Sequence, residues 1–111
     1  MIVTEKESYT ILADEKDGVR DFASFLDFII PKAYSDANLV IDLLKYEKLE
    51  LEDLLCFLNI SNKQRANQKS FVFVSKALKI DFVPDELMVV PTLEEAKDVI
   101  DLEEIQRDLG F

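Results

Sequence analysis

The side chains of this sequence that could take part in chemistry are carboxylates, and five of them fall within residues 38–58 (NLVIDLLKYEKLELEDLLCFL). Three of the five, Asp42, Glu50 and Asp53, offer oxygen ligands of the kind that Mg²⁺ prefers, or acceptors for a small polar ligand. Acidic residues are also common on solvated surfaces, so the same three residues fit a surface without a ligand. A small-ligand or nucleotide-binding domain is therefore kept as a remote alternative.

Histidine is absent, which removes the usual general base and every Ser-His or Cys-His pair. Ribonuclease Z-type hydrolysis, which depends on several histidines around zinc ions, is excluded for the same reason. The single cysteine, Cys56, allows no internal disulfide, and its apolar neighbours predict a buried, inert thiol. The sequence predicts a protein that is not an enzyme, with no catalytic residue, no metal site and no cofactor.

The composition indicates one acidic domain of ordinary size. The chain has 111 residues, and 23 acidic against 13 basic side chains give a net charge of −10. This charge repels nucleic acid and anionic membrane surfaces, so we expect neither as a partner. No signal-peptide pattern and no long apolar run is present, which predicts a cytoplasmic location. Lys63, Arg65 and Lys69 form a local positive group, which fits either a solvated helix end or a small anion site.

The hydrophobic pattern predicts helices in three regions, residues 19–30, 51–68 and 92–109. The first has one apolar face at helical spacing, formed by Phe22, Phe25, Leu26, Ile29 and Ile30. Pro31 ends or kinks this helix. Thr92 and Glu95 have the spacing of a capping box at the start of the last helix, and Gly110 closes that helix.

Short β-branched or apolar runs predict strands at residues 2–3, 9–12, 39–43, 70–75 and 86–90. The first two could form a hairpin, and the nearly continuous apolar run of residues 39–43 is typical of a central parallel strand. The order β-β-α-β-α-β-β-α predicts an α/β fold with right-handed crossovers. We expect a mixed, mostly parallel sheet of four to five strands with helices packed on it.

We expect a single domain over residues 1–111, with a core of residues 1–100 and a C-terminal helical extension of residues 101–111. Ile105, Leu109 and Phe111 are the apolar points of this extension. They could fold back onto the domain or join a second copy of the chain.

The element order and several motifs resemble the STAS domain, the fold of bacterial anti-sigma factor antagonists. The family has an apolar strand ending in Asp-Leu, a short loop, the motif Asp-Ser-Ser-Gly and a leucine-rich helix. The corresponding segments here are VIDL (40–43), ELED (50–53) and LLCFL (54–58). Residues 69–74 match the next family strand. Residues 88–90 and TLEEA (92–96) match the late strand and helix start, so the resemblance spans residues 38–100.

The resemblance aligns Glu50 with the family aspartate and Glu52 with the serine that is phosphorylated in the family. Residues 50–53 carry no hydroxyl group. Glu52 could mimic phosphoserine in part, since a carboxylate carries less charge than a phosphate. Alternatively, the switch is lost and Glu52 is an ordinary acid at a helix start. Both interpretations predict that serine phosphorylation does not switch this loop.

The resemblance also implies a regulatory protein-protein interaction module whose partner is an anti-sigma factor or a kinase-like regulator. Its expected partner surface, here called the 45–53 surface, consists of Lys45, Tyr46, Lys48, Leu49, Glu50, Leu51, Glu52 and Asp53. In this arrangement Leu49 or Leu51 would be an exposed apolar anchor within a charged rim. Both leucines could instead point into the core. A structural or dimerisation subunit without switching, including a homodimer, is the alternative function.

Overall fold

A computed structural model describes residues 1–16, 18–77 and 83–110. In these ranges five short strands form one sheet: β1 (Ile2–Glu5), β2 (Thr10–Ala13), β3 (Leu39–Asp42), β4 (Phe71–Val74) and β5 (Met88–Val90). The strands lie side by side in sequence order. β1 runs antiparallel to β2, and the other three pairs are parallel. The predicted hairpin and the predicted mixed, mostly parallel sheet are both confirmed.

The described ranges contain four α-helices: α1 (Val19–Ile29), α2 (Leu51–Leu55), α3 (Leu58–Ala66) and α4 (Leu93–Asp108). α1 ends at Ile29, in agreement with the prediction that Pro31 ends or kinks this helix. A π-helical segment, Ile30–Tyr34, follows directly and has Pro31 in its first turn. The wider turn accommodates a residue that has no backbone N–H to donate. The end of this segment is held by α3: the buried side chain of Gln64 donates to the carbonyls of Tyr34 (2.8 Å) and Ala37 (2.6 Å).

The helix predicted over residues 51–68 is interrupted, so this prediction was wrong in its continuity. Two residues, Cys56 and Phe57, separate α2 from α3, and the N–H of Phe57 donates to the carbonyl of Leu54 at 2.9 Å. The ring of Phe57 is fully buried and meets Phe22 and Phe73 edge to face, at centroid distances of 6.3 and 5.3 Å. The break between the helices is therefore part of the core packing.

Helices cover both faces of the sheet, which explains the apolar runs in its central strands. Leu12, Ile41 and Phe73 point to the face that carries α1, α2 and α3. Their neighbours Ile11, Val40, Val72 and Val74 point to the other face, where they pack against Ala96 and Ile100 of α4. The result is a single α/β domain with two apolar layers.

The C-terminal half of α4 is joined to the sheet by a polar network around Asn38, the residue before β3. The buried amide of Asn38 donates to the carbonyl of Ser8 (3.0 Å) and to the carboxylate of Glu104. Its oxygen accepts from the N–H of Ser70 (2.9 Å) and from the Arg107 guanidinium (3.3 Å). Each polar group of this buried side chain is thus satisfied, as burial requires.

Residues 101–108 complete α4, and their inward side chains pack on the domain. Glu103 forms an ion pair with Arg65 at 3.3 Å, and Arg65 also donates to the carbonyl of Phe71 at 3.0 Å. Ile105 and Leu109, in contrast, are more than half exposed. The question of whether Phe111 folds back lies outside the described residues. Among the described helices, none is both long and apolar enough to cross a membrane.

Candidate functional site

The 45–53 surface follows β3 at the carboxyl edge of the parallel strands. Asp42 ends β3, and its carboxylate accepts the N–H of Leu44 at 3.0 Å, which turns the chain at this point. The N–H of Leu43 still bonds to the carbonyl of Val74 at 2.9 Å. The loop therefore leaves the sheet from a fixed position. In open α/β sheets, ligands commonly bind at this edge.

The first part of the surface is held by the segment that follows β2. The hydroxyl of Tyr46 donates to the carboxylate of Asp14, and the Lys45 ammonium donates to the carbonyls of Asp14 (3.4 Å) and Lys16. Tyr46 is consequently half-buried. These two side chains tie the loop to residues 14–16, and Lys45 and Lys48 are both exposed.

The second part of the surface begins α2 with a reciprocal cap. The N–H of Glu50 donates to the Asp53 carboxylate at 3.0 Å, and the Glu50 carboxylate accepts the N–H of Asp53. Arg20 of α1 donates to the same Asp53 side chain at 2.8 Å. The Arg20 hydrogen bond, with help from the Glu50 N–H, lowers the pKa of Asp53. Asp53 therefore stays ionised and links the starts of two helices.

Exposure separates the leucines of this region into two groups. Leu49 belongs to the core, with 7% of its surface exposed, so it cannot be the anchor of a partner. Leu51 is half-buried, and Leu55, one helical turn later, is 40% exposed. Residues four apart lie on the same side of a helix, so Leu51 and Leu55 form one apolar strip.

Glu52 is a charged side chain of the surface that is open to a partner. It is exposed and forms no hydrogen bond or ion pair through its carboxylate with any part of the chain that the structure describes. The thiol of Cys56, half-buried rather than fully buried, donates to the Glu52 carbonyl at 3.4 Å. A fixed negative charge thus stands beside the Leu51–Leu55 strip.

The three carboxylates predicted as possible ligands of a metal ion or small molecule each bond to nearby groups of the protein instead. Asp42 closes its own turn, while Glu50 and Asp53 cap each other. Within residues 1–16, 18–77 and 83–110, no three Cys, His, Asp or Glu side chains are grouped so that they could hold a metal ion. The geometry accordingly gives these acids structural roles.

Three contributors to the site were missed from the sequence: Arg20, Asp14 and Leu55. The first two lie more than 30 residues from their partners, and no local pattern reports such a contact. Leu55 could have been considered, because adjacent residues of a helix point in different directions, so Leu54 and Leu55 need not both face the core. The structure buries Leu54 and leaves Leu55 outside.

Comparison with known proteins gives no family for this chain. No protein-family model matches it, and no curated protein matches it significantly. The resemblance to the STAS domain therefore stays a prediction from residues 38–100, while the mixed α/β sheet is observed.

Proposed function

We propose that this protein is a non-enzymatic regulatory module that binds a protein partner in the cytoplasm, in the manner of anti-sigma factor antagonists. The supporting observation is the construction of the 45–53 surface. Its backbone is fixed by the Glu50–Asp53 cap, the Arg20–Asp53 pair and the Tyr46–Asp14 bond, while Glu52 remains unengaged. Pre-organised loops lose little conformational entropy when they bind, which favours recognition by docking.

The apolar centre of this proposed interface is the Leu51–Leu55 strip rather than Leu49. Lys48, Glu50 and Glu52 are exposed charges close to the strip in sequence and form its polar rim. An apolar centre within a polar rim is the usual anatomy of a protein interface. The small size of the strip fits a transient partner such as an anti-sigma factor or a kinase-like regulator.

Serine phosphorylation does not control this proposed interface. Residues 50–53 contain no hydroxyl, and the nearest serine in the following helix, Ser61, is fully buried. Glu52 supplies a charge of about −1 at all times, against about −1.5 to −2 for a phosphate. The protein would then act as a constitutive binder, whether Glu52 is a mimic or the remnant of a lost switch.

Two substitutions test the proposal, Glu52→Lys and Leu55→Asp. Each protein is immobilised and used to capture partners from a lysate of its source, and the bound proteins are quantified by mass spectrometry. We expect a partner that the unmodified protein retains and that both variants lose at least tenfold. Glu94→Lys, an equal charge change at an exposed position of α4, is the matched control and should retain the partner.

Circular dichroism establishes first that each variant is folded. Retention of the partner by folded Leu55→Asp and Glu52→Lys would refute docking through the 45–53 surface. Capture of only the same chain, in amounts that neither substitution changes, would support the structural or dimerisation subunit instead.

A further inference from the structure

β1 is an edge strand, and its outer backbone groups pair with no other strand in the described ranges 1–16, 18–77 and 83–110. The N–H of Lys6 donates to the carbonyl of Tyr9 at 2.8 Å and closes the β1–β2 hairpin. In an antiparallel pair, hydrogen-bonded residues alternate, and the register pairs Thr4 with Ile11 and Ile2 with Ala13. Ile2 and Thr4 therefore bond inward to β2. The N–H and carbonyl groups of Val3 and Glu5 point outward, away from the sheet.

Apolar side chains accompany these outward groups on both faces of the strand. Ile2 is 53% exposed and Val3 is 39% exposed, and successive strand residues point to opposite faces. On the face of α1, Phe25 borders a cavity together with Met1, the residue before β1, so this part of α1 lies near the start of the strand. Phe28, three residues later on the same side of the helix, is 58% exposed. Ile2, Val3, Phe25 and Phe28 are here called the β1 edge surface.

The two edge strands of the sheet, β1 and β5, differ in how well they are protected against pairing with a strand of another molecule. β5 is shorter than β1, Pro91 follows it directly and Pro84 precedes it, and proline discourages pairing with another strand. β1 contains neither proline nor lysine, the residues that most often guard an edge. The charged side chains nearest this edge, Glu5 and Lys6, stand at its far end, so the apolar half formed by Ile2 and Val3 is open to pairing.

We propose that two copies of this chain pair through β1 as an antiparallel, two-fold symmetric dimer. When two copies of β1 pair antiparallel with Val3 opposite Val3, each outward N–H of one copy lies opposite an outward carbonyl of the other. The same strand therefore supplies the donors and the acceptors of the interface. The two-fold axis is then perpendicular to the sheet, which keeps both α1 helices on one face. Phe25 and Phe28 of the two copies therefore approach each other over the new strand pair, and the sheet becomes continuous across the dimer.

The available area sets the strength of this dimer. Two half-exposed phenylalanines can bury about 200 Å² per copy, since a whole aromatic side chain buries roughly 150–250 Å². A stable interface buries about 800 Å² per partner, so the strand edge must supply much of the rest. The dimer is accordingly expected to dissociate on dilution. It uses none of the residues of the 45–53 surface, so it stands or fails independently of the proposed function.

Mass as a function of concentration tests the pairing, measured by light scattering and sedimentation equilibrium. The unmodified chain should pass from monomer to dimer as concentration rises. Val3→Lys, which places a guarding charge on the edge, should weaken the dimer at least tenfold. Leu102→Lys makes the same type of change at an exposed leucine of α4 and should leave the dimer intact.

A monomer at every concentration would overturn the proposal, including the case of a monomer that accepts only an extended peptide. It would also be overturned by a dimer that Leu102→Lys dissociates and Val3→Lys does not, because α4 would then be the interface.

Disulfide trapping tests the register directly, in a Cys56→Ala background. Hydrogen-bonded residues of antiparallel strands have Cα atoms about 5.5 Å apart. This separation suits a disulfide, so Val3→Cys should form a covalent dimer rapidly on mild oxidation. Thr4→Cys faces Ile2 of the other copy and should crosslink at least tenfold more slowly. Faster crosslinking through Thr4→Cys would overturn pairing about Val3.

Discussion

At the scale of single residues, Asp53 is a side chain that holds the candidate site to the rest of the domain. Its side chain is 17% exposed, yet it accepts hydrogen bonds from Arg20 and from the N–H of Glu50. Both bonds favour the ionised carboxylate, so the pKa of Asp53 is lowered in the folded protein. The sequence predicted Asp53 as one member of a partner surface and as a possible ligand carboxylate. Its structural role became visible only through Arg20, 33 residues away.

This shift predicts how Asp53→Asn changes stability with pH. The unfolded chain has an Asp pKa of about 3.9, and the folded value is lower, so the unfolded state binds more protons in acid. The stability that Asp53 supplies is thus complete above about pH 4 to 5 and is lost as the pH falls through the folded pKa. Asp53→Asn should lower the urea midpoint at pH 7, and the difference from the unmodified protein should narrow as the pH falls below about 4.

Urea titrations at a series of pH values measure this effect. Asp27→Asn is the matched control, because Asp27 is exposed and forms no hydrogen bond or ion pair with any described residue. A difference for Asp53→Asn that stays constant from pH 7 to pH 2 would mean that the carboxylate charge is not what stabilises the fold.

At the scale of elements, the end of α3 has the hydrogen bonds of a Schellman motif without its usual glycine. The N–H of Gln68 bonds to the carbonyl of Arg65 at 3.0 Å, and the N–H of Lys69 bonds to that of Gln64 at 3.1 Å. Gln68 therefore has a left-handed backbone, with φ of 64°. A side chain with a Cβ atom is strained in this conformation.

Gln68→Gly should stabilise the protein by about 0.5–1 kcal/mol, because glycine adopts the left-handed conformation without strain. Thermal and urea unfolding measure the change. The neighbouring substitution Asn67→Gly is the control: Asn67 has φ of −83°, so glycine there should destabilise. Equal effects of the two substitutions would show that backbone strain at residue 68 is negligible.

The sequence predicted an element well where that element has a capping motif and a regular spacing of apolar residues. α4 begins at the predicted cap, where the N–H of Glu95 donates to the Thr92 hydroxyl at 3.1 Å, and Gly110 follows its end with φ of 82°. The break between α2 and α3 could not be predicted in this way. It coincides with the burial of Phe57 between Phe22 and Phe73, which are distant in sequence. Phe25 was assigned to the inner face of α1 but lies on its flank, 45% exposed.

At the scale of the whole molecule, the alternation of strands and helices was enough to predict a mostly parallel sheet. It did not predict which helix covers which face, since all four helices have suitable apolar residues. It also gave no reason to expect the polar network that joins Asn38, Ser70 and Arg107. Residues 101–108, expected as an extension beyond the core, supply two members of that network, Glu104 and Arg107.

Truncation after Ile100 should therefore destabilise the domain by about 3 kcal/mol or more, because the buried amide of Asn38 loses two partners, the half-buried Arg65 loses its ion pair, and the last two turns of α4 are removed. The free energy of unfolding in urea, with near-ultraviolet circular dichroism for packing, measures the loss. Truncation after Asp108 is the control, since it keeps every network residue and should cost less than about 1 kcal/mol. A shortened chain of residues 1–100 with unchanged stability would contradict this role of the network.

The network at Asn38 also determines the order in which parts of the domain can fold during synthesis. β3 is completed early in translation, but Arg107, which satisfies Asn38, lies 69 residues later in the chain. The growing chain can form the hairpin and the α1 side of the sheet while it is being made. The opposite face stays uncovered until α4 has emerged from the ribosome. For this interval the apolar side chains of β3 and β4 on that face are exposed, which makes the nascent chain prone to aggregation.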